Sequence, residues 1–451
     1  MSLGLRSIEV LLNFTAGRFL RALCSAFLVC YPLSHTNAAD YVHDTEELNE
    51  ISPRPGLIIN DTNLQKYQHL LDPDFKTFIK SKSLTLTVGE PTAFNPHEAF
   101  LRSIHQQGVE PYLPETPGTI ADFQQGLPFS GELETNDPDA GLKLAWNMRY
   151  AYQGDNGKIP EMHWTLRDWR SEKVEFKMTF KAKLMRFMYR HVLEPTPSIM
   201  NNAQDAYGAF RLEAIDAGSY DGTQALVFAN RDESKPLNGW VYIPQLGRTQ
   251  TLASFSREES MFGSDILPSD FMGYTASLTA MKWKYKGRTF ALLPMYRHDR
   301  AITSDLKARK ADYWHTDFHG RAGCFPKVSW QLRETYILEG TAAIESASVS
   351  KRVLYVDAQT HLPILWKMYD SNNSLWKFAI NAYAHPTSHV THNNNTGAPI
   401  LTAFSTIDIQ TNRCTTIQAL TLINVDDISV KDFDAGDMQS ATGRDYKRRG
   451  R

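Results

Sequence analysis

Residues 174 to 184 read V-E-F-K-M-T-F-K-A-K-L, and this stretch decides the fold class. Its apolar residues, from Val174 to Leu184, alternate with charged or polar ones, which is the period of a β-strand with one buried face and one solvated face. After Leu184 the phase reverses, and Met185 and Phe187 become the apolar set. Because a one-residue slip turns every side chain over, the pattern predicts a bulge or a turn there.

Shorter strand-like segments follow along the chain. Lys286-Gly287-Arg288 predicts a hairpin turn between two of them, and polar residues at 357–361 and 370–374 predict further turns. Sequential strands joined by short turns are antiparallel, because parallel strands need long crossovers. The predicted strands are 210–215, 224–230, 240–244, 279–285, 289–296, 334–340, 348–357, 362–369, 375–383 and a final 420–425.

Upstream of the strands the apolar period is helical. Helices are predicted in 60–83, 95–108 and 139–152, and the second has Asn95 as its cap and Pro96 at its first position. Helices followed by a meander of strands indicate an α+β fold. The predicted organisation is a helical N-terminal segment packing on the sheet, an antiparallel β domain and a flexible C-terminal tail, at residues 40–150, 151–430 and 431–451.

Residues 1–39 have the order of a secretory signal peptide. Arg6, Arg18 and Arg21 precede an apolar stretch at 22–33, and small residues at 36–39 offer a cleavage site. The alternative is an uncleaved anchor, but about a dozen apolar residues are too few to span roughly 30 Å of hydrocarbon. We therefore predict a cleaved signal peptide and a protein secreted into the periplasm of a Gram-negative cell.

The charge balance bears on possible partners, and the cysteines bear on a possible disulfide. The chain has 451 residues with Lys+Arg 48 against Asp+Glu 50, so no basic excess supports a nucleic-acid partner. Cys324 and Cys414 remain after the signal peptide, and in an oxidising compartment they are a candidate disulfide pair. The sequence leaves open whether they lie close enough to form it.

An antiparallel sheet with one apolar face must cover that face, close into a barrel, or offer it to a ligand. The predicted helices are too few to cover all the strands fully, so a concave sheet partly covered by helices would leave an apolar cavity, the usual form of a small-molecule site. The alternative is a fully packed core, which the residues taken alone favour. The candidate ligand-binding residues are Phe176, Met178, Phe180, Trp240, Tyr242, Trp283, Tyr285, Trp366, Met368, Trp376 and Phe378.

Other polar clusters favour structural roles. His315 and His319 would share one face of a helix and could bind a metal there, but their stretch lacks an apolar stripe, so we interpret it as a polar loop. His385, His389 and His392 lie in a polar low-complexity loop, and we predict no metal there either.

Catalytic signatures are also missing from the sequence. Asp265 and Asp270 could be paired carboxylates, but Gly263 and Pro268 beside them favour turn and capping roles. No nucleophile elbow, phosphate-binding glycine loop or dinucleotide fingerprint occurs in the sequence. We therefore predict a protein that is not an enzyme and uses no cofactor.

Four motifs resemble those of the bacterial domain-of-unknown-function 1329 family, which is related to the LolA-type outer-membrane lipoprotein-sorting proteins. Their order and spacing make the resemblance fairly specific from Gly126 to about Tyr383. The motifs are G-L-P-F at 126–129 with G-L-K-L-A-W-N at 141–147; G-W-V-Y-I-P at 239–244 with Gly247-Arg248; G-S-D at 263–265 with S-D-F at 269–271; and K-R-V-L-Y-V-D at 351–357 with Pro363 and Tyr369-Asp370.

The resemblance implies a large, curved, antiparallel half-open β-barrel around an apolar cavity closed by helices. It also implies a carrier that binds a lipid or another hydrophobic small molecule and moves it across the envelope, between an inner-membrane exporter and an outer-membrane protein. The alternative is a non-catalytic accessory subunit of an exporter or outer-membrane complex that docks a peptide or protein. The tract 309–328, with His315, His319 and Cys324, departs from the family pattern.

Overall fold

The computed structural model describes residues 52–438, except 107, 201, 203, 236, 252–258 and 297–314. The predicted signal peptide lies outside these residues, as does the chain beyond Met438. Among the described helices, none is long and apolar enough to cross a membrane.

Four short α-helices precede the long strands of the main sheet: α1 Leu64–Tyr67, α2 Lys76–Lys80, α3 Glu98–His105 and α4 Ala140–Tyr150. The interval between α1 and α2 contains Asp72-Pro73, where the helical pattern breaks. The α3 helix begins later than the sequence predicted: its N-cap is His97, whose side chain accepts a hydrogen bond from the Ala99 N–H, and not Asn95. The chain enters the helix two residues later than predicted, so Asn95 and Pro96 both precede the cap.

The strands form a 17-stranded sheet and a separate two-stranded one. In chain order they are β1 Ile58–Ile59, β2 Leu86–Val88, β3 Asn156–Asp168, β4 Val174–Arg186, β5 Ala206–Asp216, β6 Gln224–Asn230, β7 Asn238–Ile243, β8 Arg248–Thr251, β9 Met281–Leu293, β10 Met295–Tyr296, β11 Phe318–His319, β12 Phe325–Pro326, β13 Ser329–Ala342, β14 Val349–Asp357, β15 Pro363–Asp370, β16 Leu375–Ala384, β17 Ile400–Asp408, β18 Arg413–Ala419 and β19 Leu422–Ile423.

The long strands pair antiparallel, as predicted, in the spatial order β8-β7-β6-β5-β4-β3-β18-β17-β16-β15-β14-β13-β9. Most neighbours are also consecutive in sequence, which is the meander predicted from the short turns. The exceptions join β3 to β18 and β13 to β9. No pairing joins β8 to β9 among the described strands, so the sheet is not closed into a barrel.

One short helix shows how strongly the sheet curves. At one end of α4, the backbone of β9 at Trp283 lies so near Gly141 that a Cβ there would be 2.6 Å from it. At the other end, the ring of Tyr150 lies 5.5 Å from that of Tyr207 in β5. A helix of 11 residues spans about 16 Å, whereas nine strand spacings in a flat sheet span roughly 43 Å. The sheet therefore wraps around α4.

Both faces of the sheet are covered over much of its area. We call the buried residues on the α4 side the inner cluster; it includes Trp164, Phe180 and Trp366. An outer cluster on the opposite face of β14–β17 contains Phe75 and Phe378, packed beneath the N-terminal helices. The β15 strand, for example, is buried at all of its first six positions. The sequence of such a strand is a nearly continuous apolar run and does not alternate.

Two sequence predictions about strand geometry are wrong. Lys286-Gly287-Arg288 is not a hairpin turn: β9 continues through it, and the pairing with β13 shifts register there. Gly287 has φ 112°, so its left-handed backbone produces a bulge and not a chain reversal. Likewise β4 runs through Leu184 without a break. Its apolar phase reverses because Met185 and Phe187 pack on the other face, against the C-terminal residues.

The C-terminal residues up to Met438 are ordered against the sheet. Residues 431–438 were predicted to belong to a flexible tail, but Phe433 and Met438 are buried in a third cluster with Phe187 and Phe228. The His-rich loop 385–396 is also packed: Asn393 is fully buried and donates a hydrogen bond to the Thr421 carbonyl. In the outer cluster, Cys324 and Cys414 form a disulfide with a Cα–Cα distance of 6.0 Å.

Candidate functional site

The inner face of the sheet is occupied by residues 261–280, which we call the plug segment. It contains three 3-10 turns, Met261–Gly263, Pro268–Asp270 and Leu278–Ala280, joined by extended chain. Pro268, together with glycines at positive φ such as Gly263 and Gly273, keeps it from forming a longer helix or strand. The segment enters the interior as an irregular chain, so its polar backbone needs partners there.

The first polar anchor of the plug segment is Asp270. Arg352 of β14 donates two hydrogen bonds to it, Nε to Oδ1 at 2.9 Å and Nη2 to Oδ2 at 2.6 Å. The indole N–H of Trp366 in β15 also donates to Oδ1, at 3.2 Å. All three side chains are buried. Burial lowers the pKa of Arg352, but the attraction of Asp270 and its hydrogen bonds outweigh this effect, and the pKa of Arg352 is raised.

The second anchor is Asp265. Its backbone N–H donates to Thr415 Oγ1 at 2.9 Å, and the same hydroxyl donates to Asp265 Oδ2 at 2.8 Å. Lys377 of β16 donates to the Asp265 carbonyl at 2.9 Å and forms an ion pair with Asp408 at 2.8 Å. Burial raises the pKa of Asp265 despite the hydrogen bond from Thr415 and the nearby Lys377. These two aspartates were predicted to cap turns; instead they tie the plug segment to the sheet.

The third anchor joins the end of the plug segment to α4. Glu233 accepts a hydrogen bond from the Leu278 N–H at 3.0 Å and forms an ion pair with Arg149 of α4 at 3.0 Å. Arg149 also donates to the carbonyl of Ala276. Both charged side chains are less than a tenth exposed. Burial raises the pKa of Glu233 more than Arg149 lowers it.

Between the anchors, the plug segment presents aromatic and aliphatic side chains to the inner cluster. Ile266 and Leu267 are buried. The ring of Phe262 lies 4.9 Å from that of Phe180, and Tyr274 meets Trp283 edge-on at 5.1 Å. These contacts are apolar, and the aromatic ones have the tilted or edge-to-face geometries that ring pairs prefer. The plug segment thus combines an apolar surface with a few fixed polar contacts, which is also how small-molecule sites are lined.

The plug segment fills the space in which the sequence analysis expected an open apolar cavity. Beside the third anchor a pocket is lined by Arg149, Tyr207, Glu233, Thr275 and Ser277, among others. The cavity has a volume of ≈ 20 Å³, which is room for about one water molecule. An alkyl chain does not fit there. Among the described residues, the plug segment covers the inner face, so a ligand would reach the covered side chains by displacing this segment.

The structure divides the candidate ligand-binding residues among several places. Phe378 lies on the outer face, with its ring 5.2 Å from that of Phe78. Trp240 and Tyr242 pack half-buried against the C-terminal cluster, and Phe176 is 37% exposed. The structure brings the others together on the inner face, where Trp376 is half-buried and the rest are buried: Met178, Phe180, Trp283, Tyr285, Trp366, Met368 and Trp376.

The sequence analysis did not single out Arg149 or Glu233, which hold the plug segment, and it noted Arg352 only as part of the K-R-V-L-Y-V-D motif. Their partners are far away in sequence, so no local pattern connects them. The S-D-F motif at 269–271 was noted for its resemblance, and it supplies the Asp270 anchor and Phe271, whose ring lies 5.6 Å from Trp164.

The comparisons with known proteins identify a family. The model of the DUF1329 family, described as proteins of unknown function, matches residues 58–438. This bears out the resemblance found in the sequence. Among the curated proteins none matches.

Three of the solved structures with partial likeness to the chain are the following. A DUF1329 family protein from Desulfovibrio piger ATCC 29098 is 16% identical, with 67% of this chain and 100% of that chain covered and a TM-score of 0.46. A putative outer membrane lipoprotein-sorting protein domain from Vibrio parahaemolyticus is 13% identical, with 67% and 100% covered and a TM-score of 0.45. A LolA superfamily protein from Nitrosomonas europaea is 10% identical, with 66% and 98% covered and a TM-score of 0.37.

Proposed function

The chain belongs to the DUF1329 family of proteins of unknown function, and we propose that it is a carrier in the Gram-negative periplasm. It binds a lipid or another apolar molecule on the inner face of the sheet, in the place that the plug segment occupies. The partners of such a carrier are an inner-membrane exporter and an outer-membrane protein. Binding requires no catalytic group.

One observation carries the proposal: the interior of the sheet is filled by an irregular segment held by buried ionic anchors. A core that serves stability alone is better packed with apolar side chains, since replacing a buried ion pair by them is often neutral or stabilising, by about 1–4 kcal/mol. The best-attested use of buried ionic groups is to define one register or one state of a switch. The Asp270–Arg352 pair therefore supports a plug segment with a closed and a displaced state.

The energies of the two states are compatible with exchange. Burying about a dozen CH₂ groups of an acyl chain is worth roughly 10 kcal/mol. Displacing the plug segment breaks the Asp270–Arg352 pair, which costs about 3–5 kcal/mol, and the hydrogen bonds of the other two anchors, each worth about 0.5–1.5 kcal/mol. The aromatic contacts that the plug segment loses are replaced by contacts with the cargo. The total cost is of the same order as the gain from a long alkyl chain, whereas a short one gains too little to compete.

A second candidate is supported by the chemistry of the plug segment itself. The inner face accommodates a peptide, and Arg352, Lys377 and Thr415 bind its carboxylates and backbone. A peptide of a partner protein with similarly spaced aspartates could replace the plug segment. In that case the protein is an accessory subunit of an exporter or outer-membrane complex, and lipid does not compete for the site.

The test is a titration of the purified protein with a fluorescent long-chain fatty acid, which measures its binding. The wild-type chain should bind it at saturable stoichiometry, and D270N, which weakens one anchor, should bind it more tightly. The matched control is D426N, because Asp426 is an exposed aspartate outside the site. If D270N and D426N both bind as weakly as an unrelated protein does, the carrier proposal is wrong.

A further inference from the structure

Two histidines and a glutamate meet on the face of β3 that points away from the plug segment. The side chains of Glu161, His163 and His315 bring one ligand atom each to within 4.8 Å of one another. Glu161 and His163 alternate with Met162 and Trp164, which belong to the inner cluster. Because side chains alternate across a strand, the glutamate and the histidine share the outer face.

His315 is distant from β3 in the sequence, and its side chain packs on the outer face of β3 beside His163. Its ring centroid lies 5.5 Å from that of His163, and the rings are inclined by 68°. His315 is buried, whereas the side chains of His163 and Glu161 are 38% and 36% exposed. The three groups therefore combine one fixed ligand with two that solvent can reach.

Neighbouring residues hold the two histidines in position. The Nδ1 atom of His163 lies 3.2 Å from Thr179 Oγ1, in the directly paired residue of β4. When Nδ1–H donates to this hydroxyl, Nε2 carries the lone pair, and it lies 3.8 Å from the Glu161 carboxylate. Metal-binding histidines are typically oriented by such an outer hydrogen bond.

The chain around His315 is held in place by a residue of β18, the strand on the other side of β3 from β4. Gln418 of β18 is the paired residue of His163 on its other side. Its amide donates to the carbonyl of Thr316 at 2.5 Å, and the Thr316 hydroxyl is hydrogen-bonded to Tyr296 at 2.7 Å. The position of His315 relative to β3 is thus set by contacts outside the three ligands.

We propose that Glu161, His163 and His315 form a binding site for a divalent transition-metal ion of the zinc class. Two imidazoles and one carboxylate are a known donor set for Zn²⁺, which leaves one coordination position for water. Ligand atoms around a tetrahedral zinc lie roughly 3.3 Å apart, with metal–ligand distances of about 2.0–2.2 Å. Rotation of the partly exposed side chains of Glu161 and His163 would bring the ligand atoms, now within 4.8 Å of one another, to this distance.

The site would connect β3 with the His315 segment across the outer face. It is separate from the plug segment, so it stands whether or not the inner face binds an apolar ligand. The sequence analysis considered His315 with His319, at helical spacing, and set a metal aside. The structure instead places His315 beside His163, which lies 152 positions earlier in the sequence (315 − 163 = 152). No local spacing could have indicated this pair.

The test uses tag-free protein that has been stripped of metal with a chelator. Calorimetric titration with ZnCl₂ should show one tight site, and Co²⁺ should give the visible absorption of a tetrahedral complex. H163A, E161Q and H315Q should each weaken binding by more than roughly 100-fold, since outer contacts alone are worth 10–100-fold. T179V should weaken it by roughly 10-fold.

The control is H69A, because His69 is an exposed histidine outside the site, and it should leave zinc affinity unchanged. If H315Q does not fold, H163A and E161Q decide the question, since both side chains are partly exposed. A zinc-induced rise in melting temperature should occur in wild type and H69A and be lost in H163A. Equal zinc affinity in wild type and H163A would overturn the proposal.

Discussion

Arg352 and Asp270 form a buried two-point ion pair between the sheet and the plug segment, with N–O distances of 2.9 and 2.6 Å. The guanidinium also lies over the ring of Tyr274, 5.1 Å from its centroid. The arginine belongs to the sheet and the other two residues to the plug segment. Their contact is therefore a direct measure of whether the plug segment is in place.

D270N should lower the free energy of unfolding by about 3 kcal/mol or more, because it leaves Arg352 buried without its counter-charge. Urea denaturation of wild type and D270N measures this difference. The double variant R352M/D270L replaces the pair by apolar side chains and should recover most of the stability. It should also bind the fluorescent fatty acid less well than wild type, since the plug segment then gains an apolar contact. If the double variant is as unstable as D270N, the loss of stability in D270N does not come from the unpaired charge of Arg352.

G141A should destabilise the protein by about 1–3 kcal/mol, because α4 must move away from β9 to accommodate a methyl group. A Cβ at Gly141 would lie 2.6 Å from the backbone of Trp283 and Lys284. Thermal unfolding followed by circular dichroism gives the difference. The matched control is G131A, where a Cβ meets nothing within 4 Å. Equal melting temperatures for the two variants would contradict the close packing of helix and strand.

Loss of the Cys324–Cys414 disulfide should lower the stability of the folded chain. The two cysteines are separated by 90 positions, and closing a loop of that length is worth up to roughly 4–5 kcal/mol in the chain-entropy model. The C324S/C414S variant should therefore melt lower than wild type, and a reductant should lower the melting temperature of wild type but not of the variant. An effect of reductant on both proteins would point to another cause.

The protein should lose stability as the pH falls from about 6.5 towards 4. Burial lowers the pKa of His319 and His361 to about 4, whereas in the unfolded chain it is about 6.5. Between these values the unfolded state binds more protons, so unfolding is favoured by up to about 1.4 kcal/mol per histidine and pH unit. Urea denaturation across this range measures the slope. H361N keeps a residue that tolerates the φ of 56° at this turn, and its slope should be smaller than that of wild type.

Local patterns in the sequence predicted the family and much of the sheet. The β6 strand, Gln224–Asn230, has the predicted bounds, and β14 and β16 differ from theirs by one residue at one end. These strands are bounded by turn residues such as those at 370–374, so their ends are encoded locally. The α4 helix was predicted within two residues, since its apolar face is continuous.

What the sequence did not reveal depends on contacts between distant segments. The β3, β17 and β18 strands were missed, although β3 carries the pattern of alternation from Met162 to Leu166. The bulge at Gly287 was taken for a turn because glycine favours both. Above all, the plug segment reads as a loop, and only its three-dimensional partners, such as Arg352, show that it lies in the interior.

Native mass spectrometry of protein freshly isolated from the cell envelope tests the carrier proposal most directly. Spectra of the wild-type chain should contain, beside the bare protein, a species heavier by the mass of a lipid or another apolar molecule, and organic extraction should recover that molecule. R352M/D270L, isolated in the same way, should carry less of it. If wild type and the double variant are both free of any bound apolar molecule, the inner face is a packed core and the protein is not a carrier.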